Sequence, residues 1–308
     1  MKPGLHVGIS GWTYPPWRGV FYPPDLPHRR ELEFASRQVN SIEINGSFYS
    51  LQRPRSYDAW YHATPDNFVF SVKGSRFITH IRRLKEPRAA LANFFASGLL
   101  RLREKLGPIL WQLPPSFRYD ADRLEAFLKE LPRTTRDAAK LARKCEGMEK
   151  DRIWTRTDAD RPIRHALEVR HHSFEQPEFI DLLRRRHIAL VVADTAGKWP
   201  FMEDVTADFL YIRLHGDKKL YASGYSAKAL DGWARKIRAW AKGRNPRGAK
   251  VIAKPAPPAA ARPVFIYFDN DVKVHAPEDA IALGRRLKLP PPVGLDAERG
   301  PAPKGKGK

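Results

Sequence analysis

FLYIRLHG, residues 209–216, is the stretch that decides the fold class of this 308-residue chain. In it Ile212 and Leu214 alternate with Arg213 and His215, and a period of two is typical of a β-strand. The apolar pair therefore faces one side of the strand and the ionisable pair faces the other. The sequence predicts a strand that packs on one side and carries charged groups on the opposite side near its carboxyl end.

Further short apolar runs also end in polar residues, and helical patterns separate most of them. These runs are HVGISG (6–11), SIEIN (41–45), FVFSVK (68–73), PILWQL (108–113), HALEVR (165–170), IALVVAD (188–194) and VFIYFDND (264–271). Eight strands with crossovers predict an α/β fold, a closed (β/α)8 barrel of the TIM type. An open doubly wound sheet is the alternative, and the gap between the sixth and seventh runs is short for a helix.

Three helical segments have recognisable beginnings and ends. We expect Ser226, Pro87 and Pro177 to begin them, because serine caps helices and proline fits their first turn. Gly243 and Gly107 would follow the ends of the first two segments, and a basic run would end the third. The apolar positions on their buried faces are Leu230, Trp233, Ile237 and Trp240, then Leu91, Phe94, Phe95, Leu99 and Leu102, then Phe179, Leu182 and Leu183.

The chain is predicted to form one barrel domain, residues 1–289, because 42% of its residues are hydrophobic and no linker divides it. Residues 133–162 add a charged, poorly periodic insertion after the fourth strand, and 244–263 form an Ala/Pro/Lys-rich loop before the eighth. The tail 290–308, rich in Pro, Gly and Lys, is expected to be disordered. None of these three segments carries a catalytic pattern.

Cysteine content and the apolar runs bear on the compartment. The single cysteine, Cys145, excludes an intramolecular disulfide and a cysteine-cluster metal site, which favours a reducing compartment. The chain shows no signal-peptide pattern and no run of about 18 apolar residues. We therefore expect a cytoplasmic protein with no membrane partner.

The formal net charge is +21, from 55 Lys and Arg against 34 Asp and Glu. Such a charge favours phosphate-rich or carboxylate-rich partners, and nucleic acid is one candidate. The cations concentrate in 73–105 and 228–254, on predicted helices and surface connections, where a solvated face is the ordinary explanation. A compositional bias of the whole chain is the alternative.

Polar side chains gather at the predicted carboxyl ends of the strands, where TIM-type barrels place their catalytic residues. Ionisable groups inside a barrel are costly unless they are paired or functional. A layer of internal ion pairs that fills the barrel without catalysis is therefore the alternative to an active site. The strand-end set is Trp12, Glu43, Asn45, Lys73, Gln112, Glu168, Arg170, Asp194, Arg213, His215, Asn270 and Asp271.

The charge balance of this set predicts an anionic guest. Guanidinium groups such as Arg170 and Arg213 bind phosphate or carboxylate through two hydrogen bonds. Glu43 or Glu168 would act as general base and His215 as general acid. Lys73 is a fourth catalytic candidate, through its charge or through a Schiff base.

A divalent metal is the rival occupant of the same mouth. Its oxygen and nitrogen ligands would come from Glu43, Glu168, Asp194, His215 and Asp271. Three cations in the same ring oppose a divalent ion, and no His-x₃-His spacing is present. The sequence therefore predicts no cofactor, with a divalent metal as the alternative.

The motifs together resemble one known family. GISGWTYPPWRGVFYP, SIEINGSFYSLQRP, FVFSVKGSRFITHIRRL, GPILWQLPPSF, LEVRHHSF, YIRLHG and IYFDND, in this order, resemble the YecE-like family from about Val7 to about Leu287. The resemblance implies a TIM-type barrel related in shape to sugar-isomerase and abasic-site-endonuclease barrels, and no established reaction. Phe174 stands where the family usually has Trp, and Asp269 where it commonly has Asn.

The resemblance extends the set of candidate substrate-binding residues. By motif it adds Tyr14, Tyr49, His80 and Tyr225 to the strand-end positions. The full substrate-binding set is then Trp12, Tyr14, Asn45, Tyr49, His80, Gln112, Arg170, Asp194, Arg213, Tyr225 and Asn270. The catalytic set remains Glu43, Lys73, Glu168 and His215.

These observations favour an enzyme that acts on a small phosphorylated or carboxylated, sugar-type substrate by acid/base chemistry, as an isomerase, lyase or hydrolase. Trp12, Tyr49 and Trp111 would offer stacking surfaces. One alternative is a barrel that binds nucleic acid or cleaves phosphodiesters, although the strand ends lack a histidine-rich metal cluster. The other is a module that binds an anionic metabolite without turnover.

Overall fold

Eight parallel strands close into one barrel in chain order in the computed structural model, which describes residues 4–258, 260–271 and 274–291. The strands are β1 Leu5–Ser10, β2 Ser41–Ile44, β3 Val69–Lys73, β4 Leu106–Gln112, β5 His165–Glu168, β6 Ala189–Asp194, β7 Leu210–Leu214 and β8 Val264–Phe268. The barrel closes where β8 pairs with β1, from Leu5 beside Val264 to Ile9 beside Phe268. The predicted closed barrel is confirmed, and the open sheet is excluded.

Helices cover the outside of the barrel, apart from the short helix Gly46–Tyr49, which lies at its mouth. They are α1 Glu31–Gln38, α2 Gly46–Tyr49, α3 Pro54–Ala63, α4 Arg88–Ala96, α5 Ala121–Glu130, α6 Thr135–Ala142, α7 Pro177–Arg185, α8 Ala227–Ala241 and α9 His275–Arg286. The predicted beginnings of α7 and α8 are confirmed: Pro177 is the first residue of α7, and the Ser226 hydroxyl accepts the Ala229 N–H. Among the described residues, none of the helices has the length and apolar content that a membrane span requires.

The segment after Pro87 differs from the prediction of one continuous helix. Gly98, with φ of +112°, separates α4 from a 3-10 helix at Leu99–Lys105, and Gly107 lies within β4. A β-carbon at residue 98 would stand 2.5 Å from the Cα of Pro54, at the start of α3. The chain therefore turns at this glycine because α3 packs directly against it.

The two long connections behave differently. The predicted insertion contains α6, whose Thr134 hydroxyl accepts the Asp137 N–H, so the interpretation of 133–162 as non-periodic was wrong in part. Helix α6 buries mainly alanines, Ala138, Ala139 and Ala142, which hide its periodicity among charged residues.

The loop at 244–263 has no helix or strand in its described part, as predicted. Its backbone at Ile252 and Ala253 donates hydrogen bonds to the Asp204 carboxylate. The connection between β6 and β7, which holds Asp204, likewise has no helix among its residues. Most of the predicted disordered tail, residues 292–308, lies outside the described residues.

The core has two layers separated by the sheet. Outward-facing strand residues such as Ile42, Trp111 and Leu167 pack against the helices. Inside the barrel, Leu110, Tyr211 and other side chains fill the lower part; the rest are Val69, Ala166, Ala189, Val191, Ala193, Phe209, Phe265 and Tyr267. This filling leaves the polar inward positions near the carboxyl ends as the floor of the barrel mouth.

Candidate active site

A buried guanidinium, that of Arg213 on β7, organises the floor of the mouth. It donates to three carboxylates: Nη2 to Glu43 Oε1 at 2.9 Å, Nη1 to Glu168 Oε2 at 2.8 Å, and Nη2 to Asp269 Oδ2 at 2.8 Å. The side chains of Arg213, Glu43 and Glu168 have no solvent exposure. One cation thus ties together the ends of β2, β5, β7 and β8.

The two glutamates are saturated by neighbouring donors. Glu43 also accepts the hydroxyls of Ser10 and Tyr211, the latter at 2.6 Å. Glu168 also accepts the Gln112 amide at 2.9 Å and Arg170 Nε at 2.8 Å. Burial by itself raises the pKa of Glu168, but Arg170 and Arg213 outweigh it and hold that pKa well below its usual value.

This floor has the geometry of the internal ion-pair layer that was the alternative to catalysis. Neither Glu43 nor Glu168 lines the cavity above, and each has hydrogen bonds to more than one donor. A general base needs a free lone pair within reach of substrate. The ion-pair layer instead holds in place side chains that line the cavity, such as Arg170 and Asp269. A catalytic role for either glutamate stays a prediction.

A cavity of about 660 Å³ lies above the floor, at the carboxyl ends of the strands. The structure brings together in its wall many residues that the sequence singled out. The lining residues are Tyr14, Pro16, Asn45, Phe48, Tyr49, Lys73, Arg76, His80, Gln112, Arg170, Tyr221, Asp269 and Asp271. They come from the ends of β1, β2, β3, β4, β5, β7 and β8, so nearly the whole ring of strands contributes.

One side of the cavity is cationic. Lys73, at the end of β3, is 7% exposed and places Nζ 4.4 Å from the ring centre of Phe48. Burial and the nearby Arg213 lower the pKa of Lys73 to about 8, against the opposing pull of Glu43 and Asp269. The amine is therefore mostly protonated at pH 7 and loses its charge as the pH rises through about 8, and a bound anion would raise its pKa.

Arg170, the second cation, is held in one orientation. Its guanidinium carbon lies 3.9 Å from the ring centre of Trp199, and its Nε is bonded to Glu168. His80 stands on the same side, and burial together with Lys73 and Arg170 lowers the pKa of its ring to about 4. His80 is therefore neutral at pH 7 and offers a hydrogen bond rather than a charge.

Two carboxyl groups follow β8 and line the cavity, and they are in opposite electrostatic states. Asp269 accepts from Arg213 and lies 3.1 Å from Nδ1 of His215. Burial alone raises the pKa of Asp269, but Arg213 and His215 hold it well below the usual value. Burial and the charge of Asp269 raise the pKa of Asp271 to about 8. The Oδ1 atom of Asp271 is buried and has no hydrogen-bond partner among the described residues.

Tyr14 and His215 complete this side of the site. The Tyr14 hydroxyl donates to the Ser10 carbonyl at 2.6 Å, and burial with Asp271 and Asp269 raises the pKa of Tyr14. Tyr14 therefore remains protonated. His215 is fully buried behind Asp269 and does not line the cavity, and burial with Arg213 lowers its pKa despite Asp269. The structure thus places His215 as a support for Asp269.

Eight of the predicted site residues do not line this cavity: Glu43, Glu168, Arg213 and His215 are buried beneath or behind it, Trp12 lines an adjoining cavity, and Asp194, Tyr225 and Asn270 lie elsewhere, as does the predicted stacking surface Trp111. Asp194 Oδ2 accepts the Tyr225 hydroxyl at 3.1 Å, away from the inward face of β6. Asn270 donates to Asp279 Oδ2 at 2.8 Å and to the Ser223 carbonyl. The correction follows from the period of two: Asp194 and Asn270 share the outward parity of Val192 and Phe268. Strand parity accounts for Asp194, Asn270 and Trp111, whereas Tyr225, in the loop between β7 and α8, lies beside Asp194 through its hydrogen bond.

Trp111 lies in the outer core rather than at a stacking surface. It is fully buried, its Nε1 donates to His165 Nδ1 at 3.1 Å, and its ring packs on Phe94 and Phe127. Trp12, by contrast, lines an adjoining cavity of about 400 Å³ that shares Tyr14, Asn45 and Tyr49 with the first.

The site set deduced from the sequence omitted several cavity residues. Asp271 was in the strand-end set, and Asp269 was detectable as well, because Phe265 and Tyr267 set the inward parity of β8 and both aspartates continue it. Arg76 and Tyr221 lie in irregular segments after β3 and β7, where no periodicity indicates direction. Phe48 lies on α2, a helix too short to show a pattern.

A metal site does not fit the placement of these groups. Within residues 4–258, 260–271 and 274–291, no three His, Cys, Asp or Glu side chains are arranged to hold a metal ion. Asp194 lies away from the other proposed ligands, and Arg213 occupies the space between Glu43, Glu168 and Asp269.

A sequence comparison finds one family across the chain. The profile of the family described as "Protein of unknown function DUF72" matches residues 6–304. The UPF0759 protein YunF of Bacillus subtilis strain 168 is 28% identical over 118 residues, which cover 37% of this chain and 41% of that protein. The UPF0759 protein YecE of Escherichia coli K12 is 26% identical over 129 residues, 42% and 44% of the two chains. The chain thus spans less than half the length of the curated relatives it matches.

Solved structures share the fold. A DUF72 family protein of Thermotoga maritima superposes with a TM-score of 0.69 at 22% identity, covering 92% of this chain and 99% of that one. A DUF72 family protein of Enterococcus faecalis V583 superposes with a TM-score of 0.65 at 18% identity, covering 93% and 96%. At these identities the likeness concerns the barrel and not its chemistry.

Proposed function

The chain belongs to the DUF72 family, as its resemblance to the YecE-like family predicted, and we propose that its barrel mouth is an enzyme site for a small anionic substrate. In this proposal the cationic side of the cavity binds a phosphate or carboxylate group, and Asp271 exchanges a proton with the substrate. The observation that carries the proposal is the pairing, in one cavity, of Arg170 and Lys73 with the Asp271 carboxyl group, which forms no ion pair with a described residue.

Anion binding rests on donors that the fold has already oriented. The Glu168 carboxylate and the Trp199 ring fix the Arg170 guanidinium before any ligand arrives. Preorganised guanidinium groups lose little entropy on binding, which favours affinity. Lys73 adds a point charge, and His80 adds a neutral ring.

Proton transfer rests on the two carboxyl groups after β8. β8 lies across the barrel from β3, β4 and β5. Lys73 ends β3 and Arg170 follows β5, so the two cations stand opposite the two carboxyl groups. Asp271 with a pKa of about 8 is mostly protonated at pH 7, so it can donate a proton to a substrate oxygen and recover it later in the cycle. Asp269 stays ionised, and its charge maintains the raised pKa of Asp271. Pairs of groups with separated pKa values are characteristic of acid/base sites.

The buried layer supports this chemistry indirectly. Arg213 keeps Asp269 ionised, and Asp269 in turn disfavours the charged form of Asp271. Tyr14 lines the same cavity, and because its hydroxyl donates to the Ser10 carbonyl, its oxygen is an acceptor for a substrate hydroxyl. These features suit an isomerase, lyase or hydrolase that uses a positioned acid next to a bound anion.

The test is a ligand screen followed by turnover assays. Wild type is heated with a panel of phosphorylated and carboxylated compounds, and we expect some to raise its Tm. Arg170→Gln should abolish those shifts, whereas Lys140→Gln, which removes an exposed charge on α6, should retain them. Identical shifts in wild type and Arg170→Gln, or no shift across the panel, would contradict anion binding in the mouth.

Turnover separates the enzyme from a binding module. With a compound that binds, Asp271→Asn should keep the affinity within about threefold and lower kcat by at least about 10²-fold, the ordinary worth of a general acid. Wild-type protein that binds such compounds without converting any of them would show a binding module instead.

A further inference from the structure

The cavity that adjoins the mouth is lined without charge. Its volume is about 400 Å³, and its lining residues are Gly11, Trp12, Thr13, Tyr14, Ile44, Asn45, Gly46, Tyr49, Gln52 and Trp60. None of these is Asp, Glu, Lys, Arg or His, whereas the mouth carries several of each sign. Tyr14, Asn45 and Tyr49 belong to both cavities, so one ligand can extend from the first into the second. We call this adjoining cavity the annex.

Aromatic rings form the main surface of the annex. Trp12 and Trp60 meet edge to face with ring centres 5.2 Å apart, and both are only partly buried. Tyr49, on α2, has 70% of its surface exposed, which places it among the most exposed large apolar side chains of the described residues. Exposed aromatic side chains around a concave site indicate a surface that a flat ligand face covers.

Amide groups stand beside these rings. One end of the Asn45 amide donates to Ser10 Oγ at 2.9 Å, and its other end is buried without a hydrogen-bond partner within the described part of the chain. Gln52 places a second amide at the annex wall. A buried amide oxygen that lacks a donor is costly, and a ligand hydroxyl would satisfy it.

We propose that the substrate carries a hydroxylated ring next to its anionic group, so that it is a sugar phosphate or a sugar acid. The anionic group lies beside Arg170 and Lys73, the apolar face of the ring lies against the annex aromatics, and ring hydroxyls bond to Asn45 and Gln52. This inference rests on the proposed function for the anionic half and goes beyond it for the neutral half.

The test compares the two halves with four probes by isothermal titration: inorganic phosphate, glycerol 3-phosphate, glucose 6-phosphate and phenyl phosphate. Glucuronate and acetate repeat the comparison for carboxylates. We expect glucose 6-phosphate or glucuronate to bind at least about tenfold more tightly than the acyclic anion of the same charge, as stacking and hydroxyl contacts add to the ionic ones. The bound ring should also change the fluorescence of Trp12 and Trp60.

Each variant changes a residue that contacts only one half of the proposed ligand, either its anionic group or its neutral ring. Gln52→Ala and Trp60→Leu change residues that line only the annex, and each should remove most of the tenfold advantage while leaving inorganic phosphate or acetate binding unchanged. Arg170→Gln should weaken every anion. Because Trp60 packs on Tyr57, Gln52→Ala, with a half-buried side chain, provides the variant that is safe for folding.

The possible results separate the two proposals. Equal affinity for cyclic and acyclic anions, unchanged by Gln52→Ala, would overturn ring binding in the annex. Anion binding in the mouth would still stand. Tighter binding of phenyl phosphate than of glucose 6-phosphate overturns the sugar and assigns a planar ring to the annex. Failure of every anion to bind wild type overturns the proposed function, and with it the combined ligand.

Discussion

Asp269 and Asp271 stand two residues apart at the end of β8 and line the same cavity, yet their pKa values move in opposite directions. Asp269 is hydrogen-bonded to Arg213, which favours its ionised form. Burial and the neighbouring charge of Asp269 disfavour the ionised form of Asp271. The difference arises from one guanidinium that reaches the first carboxylate. It places an ionised carboxylate next to a carboxyl group that keeps its proton up to about pH 8.

The stability of the protein should depend on the ionisation of Asp271. Its folded-state pKa of about 8 lies above the ordinary 3.8, so between these values the unfolded chain is ionised while the folded chain holds the proton. The folded state then binds more protons, and this group makes stability fall as pH rises through that window, by up to about 1.4 kcal/mol per pH unit. Below pH 4 and above pH 8 its contribution no longer changes.

Asp271→Asn should remove that slope. Urea denaturation of wild type and variant at pH 5, 7 and 9 measures it, and the variant should gain on wild type more between pH 5 and 7 than between pH 7 and 9. An advantage of the variant that is the same at all three pH values would contradict the raised pKa of Asp271.

Asp269→Asn should move the titration of Asp271 downward. The substitution removes the like charge that helps to hold the Asp271 pKa near 8, while it keeps the size of the side chain. The high-pH limb of the kcat profile, or the ¹³C NMR titration of the Asp271 carboxyl, should shift to lower pH by about one unit or more. Asp58→Asn, at a half-buried ion pair with Arg101 on the outside of the barrel, is the control that should leave it in place. An unshifted limb in Asp269→Asn would show that burial alone sets the pKa.

The barrel was predictable because its signals are local and repeated. Alternation in FLYIRLHG and its counterparts fixed the strands and the face on which Glu43 and Arg213 lie. The break at Gly98 was not predictable, since the residue that demands it is Pro54, which is distant in the chain. Helix α6 was missed because its buried face is made of alanine, which has little apolar contrast with its neighbours.

The sequence predicted which strand side chains point into the barrel, but not at which level along the barrel axis each one lies. Parity places Glu168 and Arg213 inside the barrel, yet it does not tell whether a side chain lies in the sealed layer or one level above, in the cavity. That level depends on the stagger of the strands around the closed barrel. Asp194 and Asn270 entered the predicted site because they are polar and lie at strand ends, although their parity directs them outward.

Arg213 should be among the most sensitive positions for stability. Arg213→Met would leave Glu43, Glu168 and Asp269 without their shared cation in a water-excluded layer, at a cost of about 3–5 kcal/mol in the free energy of unfolding. Arg82→Met, which breaks an exposed pair with Glu86, should cost less than about 1 kcal/mol. Chemical denaturation of the two variants checks this, and similar losses in both would contradict a cooperative buried layer.

Gly98 and Gly19 form a matched pair that separates backbone strain from steric contact. Both have positive φ, +112° and +77°, so alanine at either position carries a conformational cost of about 1 kcal/mol. Only at Gly98 does a β-carbon meet other atoms, the Pro54 Cα at 2.5 Å, whereas nothing stands within 4 Å at Gly19. Because the contact is with backbone, α3 or the 3-10 helix must shift, which adds roughly 1–3 kcal/mol. Thermal unfolding should therefore show a clearly lower Tm for Gly98→Ala than for Gly19→Ala, and equal Tm values would show that α3 moves without cost.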